Sequence, residues 1–238
     1  AGPVHRKMRA DRIVLDLAGT YLLGKGLATS LPGGEMAFLK SSPGEPLPDI
    51  QFLFNAAPMT SAPYFKPFVQ PYADGFACRA AVLRPESRGE VTLKSADPRE
   101  HLRIKQNFLQ AEKDRKALHT GLRMVREVMH QRPLAPFIAK EVQPGPENWS
   151  DKALDEHIKV TGITVHHPAC TCKMGPASDP ASVVDPDLKV IGTRGLRVVD
   201  AAVMPDLVGG NINAPVIMIA EKAADMLRGR PPLPPAAV

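Results

Sequence analysis

The sequence predicts an α+β fold, a mostly antiparallel sheet flanked by helices, and three observations carry that prediction. Short apolar, aromatic-rich runs bounded by Pro and Gly recur in the first half of the chain, as strands do. One long segment, Asp114 to His130, carries apolar residues at Leu118, Leu122, Val125 and Met129, the spacing of an amphipathic helix. A second helical pattern lies near the C-terminus with Pro215 in its first turn, where a missing N–H does no harm.

Taken in chain order, Asp11 to Leu23 has Ile13, Leu17, Tyr21 and Leu22 near helical spacing. Gly24, Gly26, Pro32, Gly33 and Gly34 then predict a loop, with Glu35 at its end. "MAFL" and "DIQFLFNA" follow as two strands of one sheet. From Pro58 to Tyr72 proline recurs among aromatics, and because proline cannot donate to a ladder the stretch reads as an irregular loop. "GFACRAAVLRP" and "GEVTLKS" read as strands, separated by Ser87, Arg88 and Gly89, with a hairpin between them. The helix beginning at Asp114 stops before Pro133. Ser150 is the expected N-cap of a helix through about Val160 with Leu154 and Ile158 inward.

Beyond Thr161 the sequence changes character. It holds the turn "VHHPACTCKMG", the strand-like "GLRVVD" and the helical "APVIMIAEKAADMLRG". The stripe Val216, Ala220, Ala223, Leu227, with Met218 and Ile219 beside it, predicts a buried start for that helix. A buried start leaves N–H groups and a partial positive charge that attract an anion, an electronegative cofactor edge or a capping side chain, with Asn211 and Asn213 at hand.

Composition excludes several classes. Hydrophobic residues at 44% and charged residues at 23% are those of a packed globular protein of 238 residues. Lys and Arg at 30 against Asp and Glu at 25 give only +5, and the basic cluster Val4 to Arg12 lacks the interleaved aromatics of a nucleic-acid surface. No apolar run approaches the roughly 20 residues of a membrane span, and no leader pattern opens the chain. Three cysteines, Cys78, Cys170 and Cys172, make no complete disulfide framework, so a reducing, cytoplasmic compartment is expected. Cys170-Thr171-Cys172 beside His166 and His167 has the wrong spacing for a structural metal site, and no metal is expected.

Three segments resemble the glucose-methanol-choline family of flavin-dependent alcohol oxidoreductases. "PESRGEVTLKSADP" at Pro85 to Pro98 is similar to its substrate-domain hairpin, "HPACTCKMG" at His167 to Gly175 to its active-site turn, and "GLRVVDAAVMPDLVGGNINAPVIMIAEKAADMLRG" to its C-terminal signature. Order and spacing agree across all three, and the resemblance covers about Tyr21 to Gly229, more loosely before Pro85, and holds most closely with choline-dehydrogenase-like bacterial members. The resemblance implies FAD as cofactor, His167 as the base or hydrogen-bonding histidine, and Asn213 as the second polar catalytic residue. Asp200, Ala201, Ala214 and Pro215 then correspond to positions near the flavin, and Glu35 to a carboxylate facing the alcohol. His166 is expected to be structural.

The family holds FAD mainly through an N-terminal half that opens with a G-x-G-x-x-G turn, and no such motif occurs in this sequence. The resemblance therefore implies a partner, an N-terminal FAD-binding half or chain. Residues 1–160 correspond to part of the substrate-binding domain. Residues 161–238 correspond to the active-site turn and the C-terminal strand and helix that complete an FAD-binding α/β domain. Two alternatives stand beside this reading: a non-catalytic binding module that keeps the substrate-domain fold, and a hydrolase using Cys170 or a serine, which lacks a G-x-S-x-G elbow.

Overall fold

A computed structural model describes residues 2–29, 34–231 and 233–234. It is a mixed structure of helices and antiparallel sheets, as the sequence predicts. The chain forms two compact units, residues 1–82 with 116–149 and residues 83–115 with 150–238. This grouping differs from a single division at residue 160, because residues 83–115 group with the C-terminal segment.

In the first unit β1 (Met36–Leu39), β2 (Ile50–Asn55) and β3 (Ala77–Val82) form an antiparallel sheet in sequence order. The register sets Ile50 opposite both Leu39 and Val82. Asp49, buried just before β2, accepts from Ser41 N at 2.7 Å and Ser41 Oγ at 2.5 Å, which closes the β1–β2 connection. Most of helix α3 (Glu112–Met129) belongs to this unit, and Ala117 and Val125 share a core with Ile50 and Phe52.

The predicted helical stripe is right in period but turned in direction. Val125 and Met129 do face the core, whereas Leu118 and Leu122 are half-buried and Ala117 and Gly121 take the innermost positions. A Cβ at Gly121 would lie 3.2 Å from both Ala80 Cβ and Ile50 Cγ2. The helix thus approaches the sheet through its smallest side chains, and close packing rather than side-chain size selects the face.

Helices α1 (Pro3–Lys7) and α2 (Ala10–Leu23) precede the sheet, and Ala10 N donates to Tyr64 O at 2.8 Å. Gly24, left-handed at φ 63°, ends α2 as a glycine C-cap does. The expected stripe of α2 is not a core stripe in this chain: none of its residues is buried and Tyr21 is 90% exposed. Pro32 and Gly33 of the predicted loop, and much of the proline-rich tail, lie outside the described residues.

In the second unit the expected hairpin is replaced by another pairing. β4 (Glu90–Thr92) pairs antiparallel with β5 (Arg103–Lys105), and β3 stays with β2. Residues 86–87 cannot turn back toward β3, because Glu86 N and Ser87 N donate to the buried carboxylate of Asp114 at 2.8 and 2.9 Å. The polar run "RIK" gave β5 no strand signature in the sequence.

Helix α4 (Asp151–Thr161) begins as expected, with Ser150 Oγ accepting from Ala153 N at 3.2 Å and Leu154 fully buried. Val184, Leu188, Val203 and Ala223 form the second core, joined by Met174, Val198, Val199 and Ile219. The strand-like segment 195–200 forms no strand and carries one bridge, Lys189 to Arg197, in place of a ladder. Helix α5 (Asn213–Leu227) turns Ile219 and Ala223 inward, while Ala220 and Leu227 of the expected stripe are exposed. Its start is also exposed at Asn213 and Ala214, against the expectation of a buried one.

Candidate functional site

The turn that carries His167 is built by backbone hydrogen bonds. Alternate amides of the segment after it, Cys170 N, Cys172 N and Met174 N, donate to Ala201 O, Ala202 O and Val203 O at 3.2, 2.9 and 3.0 Å. The acceptors belong to a short 3₁₀ turn, Ala201–Val203, whose N-cap is Asp200 through Ala202 N to Asp200 Oδ1 at 2.6 Å. A second set of bonds, Gly175 N to Val184 O at 3.0 Å and Val183 N to Lys173 O at 2.8 Å, ties the far end of the same segment to the buried Val184.

The consequence is a fixed relation between two of the predicted site segments. The turn "HPACTCKMG" is seated on the carbonyls of Ala201, Ala202 and Val203, whose 3₁₀ turn Asp200 caps, and the chain runs on from there through residues 204–212 to Asn213. Val203 and Met204 are buried, as is Ile212 immediately before Asn213. The segment is therefore anchored in the second core at one end and at Ile212 at the other.

Among the described residues five non-glycine residues have positive φ, and two of them, His166 at 60° and Cys170 at 71°, bracket His167. Left-handed backbone at a residue with a β-carbon is uncommon and persists only where surrounding bonds determine it. Here the determinants are His166 N to Thr164 Oγ1 at 3.0 Å on one side and the Cys170 N to Ala201 O bond on the other. His167 itself is half-buried, His166 exposed.

Asn213 is the first residue of α5, and the N-cap residue Ile212 makes no side-chain cap bond. The positive end of the helix dipole there favours an electronegative group. Ala214 is exposed and Pro215 half-buried beside it. Glu35 belongs to the first unit, exposed at the entrance to β1, where its carbonyl accepts from Phe54 N at 3.1 Å.

The cysteines are free thiols. Burial pushes the Cys170 thiol above its ordinary range; Asp206 pushes the same way and Arg88 opposes it. Burial does the same to Cys78. Because the thiolate is the nucleophile, a raised pKa means slow chemistry near neutral pH. Alkylation of Cys170 by iodoacetamide, followed by peptide mass spectrometry, should be slower than that of free cysteine at about pH 8 and should climb through the alkaline range. Faster reaction than free cysteine at that pH would contradict this. Among the described residues no group of three or more His, Cys, Asp or Glu side chains is arranged to hold a metal ion, and no helix is long and apolar enough to cross a membrane.

Two features of the site had no sequence signal. The left-handed backbone at Cys170 belongs to a residue type that gives no warning of it, and the pairing of 170–174 with 201–203 runs through main-chain atoms alone.

Residues 85–220 match the family model described as GMC oxidoreductase. Human mitochondrial choline dehydrogenase is 42% identical over 210 residues, which are 88% of this chain and 34% of that protein. The oxygen-dependent choline dehydrogenase of Pseudomonas savastanoi pv. phaseolicola is 42% identical over 212 residues, 89% of this chain and 36% of that protein. Among solved structures, pyridoxine 4-oxidase from Mesorbium loti superimposes with a TM-score of 0.71 at 30% identity, covering 84% of this chain and 39% of that one. The chain thus spans about a third of the length of these curated relatives. With the turn of residues 167–175, the 3₁₀ turn that accepts its hydrogen bonds and the start of α5 all inside the matched residues, the chain belongs to the GMC oxidoreductase family.

Proposed function

We propose that this chain is the substrate side of an FAD-dependent alcohol oxidoreductase, with His167 and Asn213 at the reacting centre. The observation that supports this best is the seating of the His167 turn on the Ala201–Val203 turn, the segment that leads to Asn213. His167 takes the hydroxyl proton of the alcohol on its imidazole and holds it as a cation. Asn213 orients the alcohol oxygen from the helix start.

FAD, when bound, accepts the hydrogen and electron pair that leave the alcohol carbon. The residues present fit such a group: the start of α5 favours an electronegative edge through its dipole, and Ala201 and Ala214 bring only methyl groups where a flat ring must come close. Asp200, Ala201, Ala214 and Pro215 are the positions assigned to it. The nucleotide-binding part of the cofactor falls to an N-terminal FAD-binding half or chain. By role, residues 1–160 supply substrate-binding elements and residues 161–238 the active-site turn and the C-terminal part of the flavin domain.

The substrate is a polar alcohol. Glu35 offers a carboxylate to a cationic one, and relatives named as choline dehydrogenases make choline, a quaternary ammonium alcohol, the first to try. Three free thiols suit a reducing compartment such as the cytoplasm.

The test is to produce the chain together with an FAD-binding half and to follow visible flavin absorbance without oxygen. A yellow protein that bleaches on addition of an alcohol, choline first, is the expected result. A protein that stays colourless with that half provided, or whose bound flavin no alcohol reduces, ends the proposal.

A further inference from the structure

We infer that Arg84 is a positioning residue for Asn213, holding the loop of residues 206–212 through the space left open at Gly209; the inference rests on the role proposed for Asn213 above. A Cβ at position 209 would run into the Arg84 guanidinium, 2.8 Å from Cζ and 3.2 Å from Nε and closer still to Nη2. The glycine is not explained by its backbone, because Gly209 is absent from the positive-φ glycines. Space for a guanidinium explains it. The planar group lies against the main chain four residues before Asn213 and restrains it as a flat surface does.

The grip has a second point and a firm base. Arg88 Nη2 meets Asp206 Oδ1 at 3.2 Å, at the other end of the loop. That pair is mostly exposed, 63% and 77% at the side chains, so it adds little by itself, and between the buried anchors Met204 and Ile212 the Arg84 contact is the closer restraint on the loop. Between the two arginines, Glu86 N and Ser87 N are fixed on the buried Asp114 carboxylate. Arg84 therefore reaches the loop from a segment that cannot drift. Misplacing a catalytic group by about 1 Å costs up to about a hundredfold in rate, so a restraint this close to Asn213 has kinetic weight.

The contact can be removed from either side. Gly209→Ala puts a methyl group where the guanidinium lies, and because that guanidinium ends a flexible side chain it swings away with little strain. Arg84→Ala removes it outright. Amide hydrogen exchange over residues 207–213 in the 238-residue chain should accelerate by about tenfold in each variant, and no further in the double variant, while the melting temperature stays near that of the parent. In the flavin-loaded protein each variant should lower the rate of flavin reduction at saturating alcohol by about tenfold, the double variant again matching the singles. Arg84→Lys, which lacks the planar face, should recover only part of the rate. Unchanged exchange in both single variants, additive losses in the double variant, or unchanged reduction rates despite faster exchange would each overturn the inference. If the parent protein takes up no flavin, the proposed function fails separately, and the exchange data still decide whether Arg84 holds the loop.

Discussion

His167→Ala should lower the rate of flavin reduction by an alcohol by at least about two orders of magnitude in the flavin-loaded protein, the scale of a lost general base. The alcohol hydroxyl is a weak acid, and its proton must leave as the carbon gives up hydrogen. Without an acceptor in place, that step falls to water. The backbone of the turn is set by hydrogen bonds, from His166 N to Thr164 Oγ1 on one side and from Cys170 N to Ala201 O on the other, and neither involves the His167 imidazole. The substitution should therefore remove the base and leave the turn intact, with binding of the alcohol changed less than the rate. Two companion variants sharpen the result. Asn213→Ala should slow reduction by a smaller factor, because it removes orientation and not the proton acceptor. His166→Asn should leave the rate close to that of the parent, since Asn tolerates the left-handed backbone that His166 occupies at φ 60°. Stopped-flow measurement without oxygen separates these outcomes, and near-normal reduction in His167→Ala would remove that residue from the role.

What the sequence made legible was whatever depends on local pattern. The period of α3, the N-cap at Ser150, the strands β1 to β3 and the sequence order of the site segments all follow from spacing, capping chemistry and composition. What it hid depends on main-chain contacts between distant segments. The inner face of α3 went to Ala117 and Gly121 because a helix can approach a sheet most closely through small residues, which carry little hydrophobic signal. β4 found β5 and not β3 because Asp114 holds residues 86–87, a link invisible to periodicity. The apolar start of α5, expected to bury, lies exposed in this chain, and so does the apolar run on α2, as Met218 and Tyr21 show at 57% and 90%. Apolar pattern states that a face is fit for burial without stating what buries it. The site was legible in its residue types and order, and illegible in the left-handed backbone and main-chain ladder that seat its turn.

Asp114→Ala should destabilise the second unit by about 3–4 kcal/mol, the largest stability effect expected of a polar substitution in this chain. The Asp114 side chain is 1% exposed and accepts three hydrogen bonds, from Glu86 N at 2.8 Å, Ser87 N at 2.9 Å and Ser87 Oγ at 2.5 Å. Ser87 Oγ in turn accepts from Ala111 N at 3.0 Å, so the carboxylate organises four donors at the start of α3. Its removal leaves two main-chain N–H groups facing an apolar gap, and each unsatisfied buried donor costs about 1–3 kcal/mol. Asp114→Asn is the informative comparison, because shape is kept while one acceptor becomes a donor. Both carboxylate oxygens accept from N–H or O–H groups, so the Asn amide nitrogen must point at a donor, and the variant should recover less than half of the loss. Urea denaturation followed by far-ultraviolet circular dichroism measures the change, with hydrogen exchange at Glu86, Ser87 and Ala111 locating it. Since these bonds hold the segment from which Arg84 and Arg88 reach the Asp206–Gly209 loop, exchange at residues 207–213 should rise in the same variants. A loss under about 1 kcal/mol in Asp114→Ala, or full recovery in Asp114→Asn, would mean that the hydrogen bonds are incidental and that packing alone fixes the β4 approach.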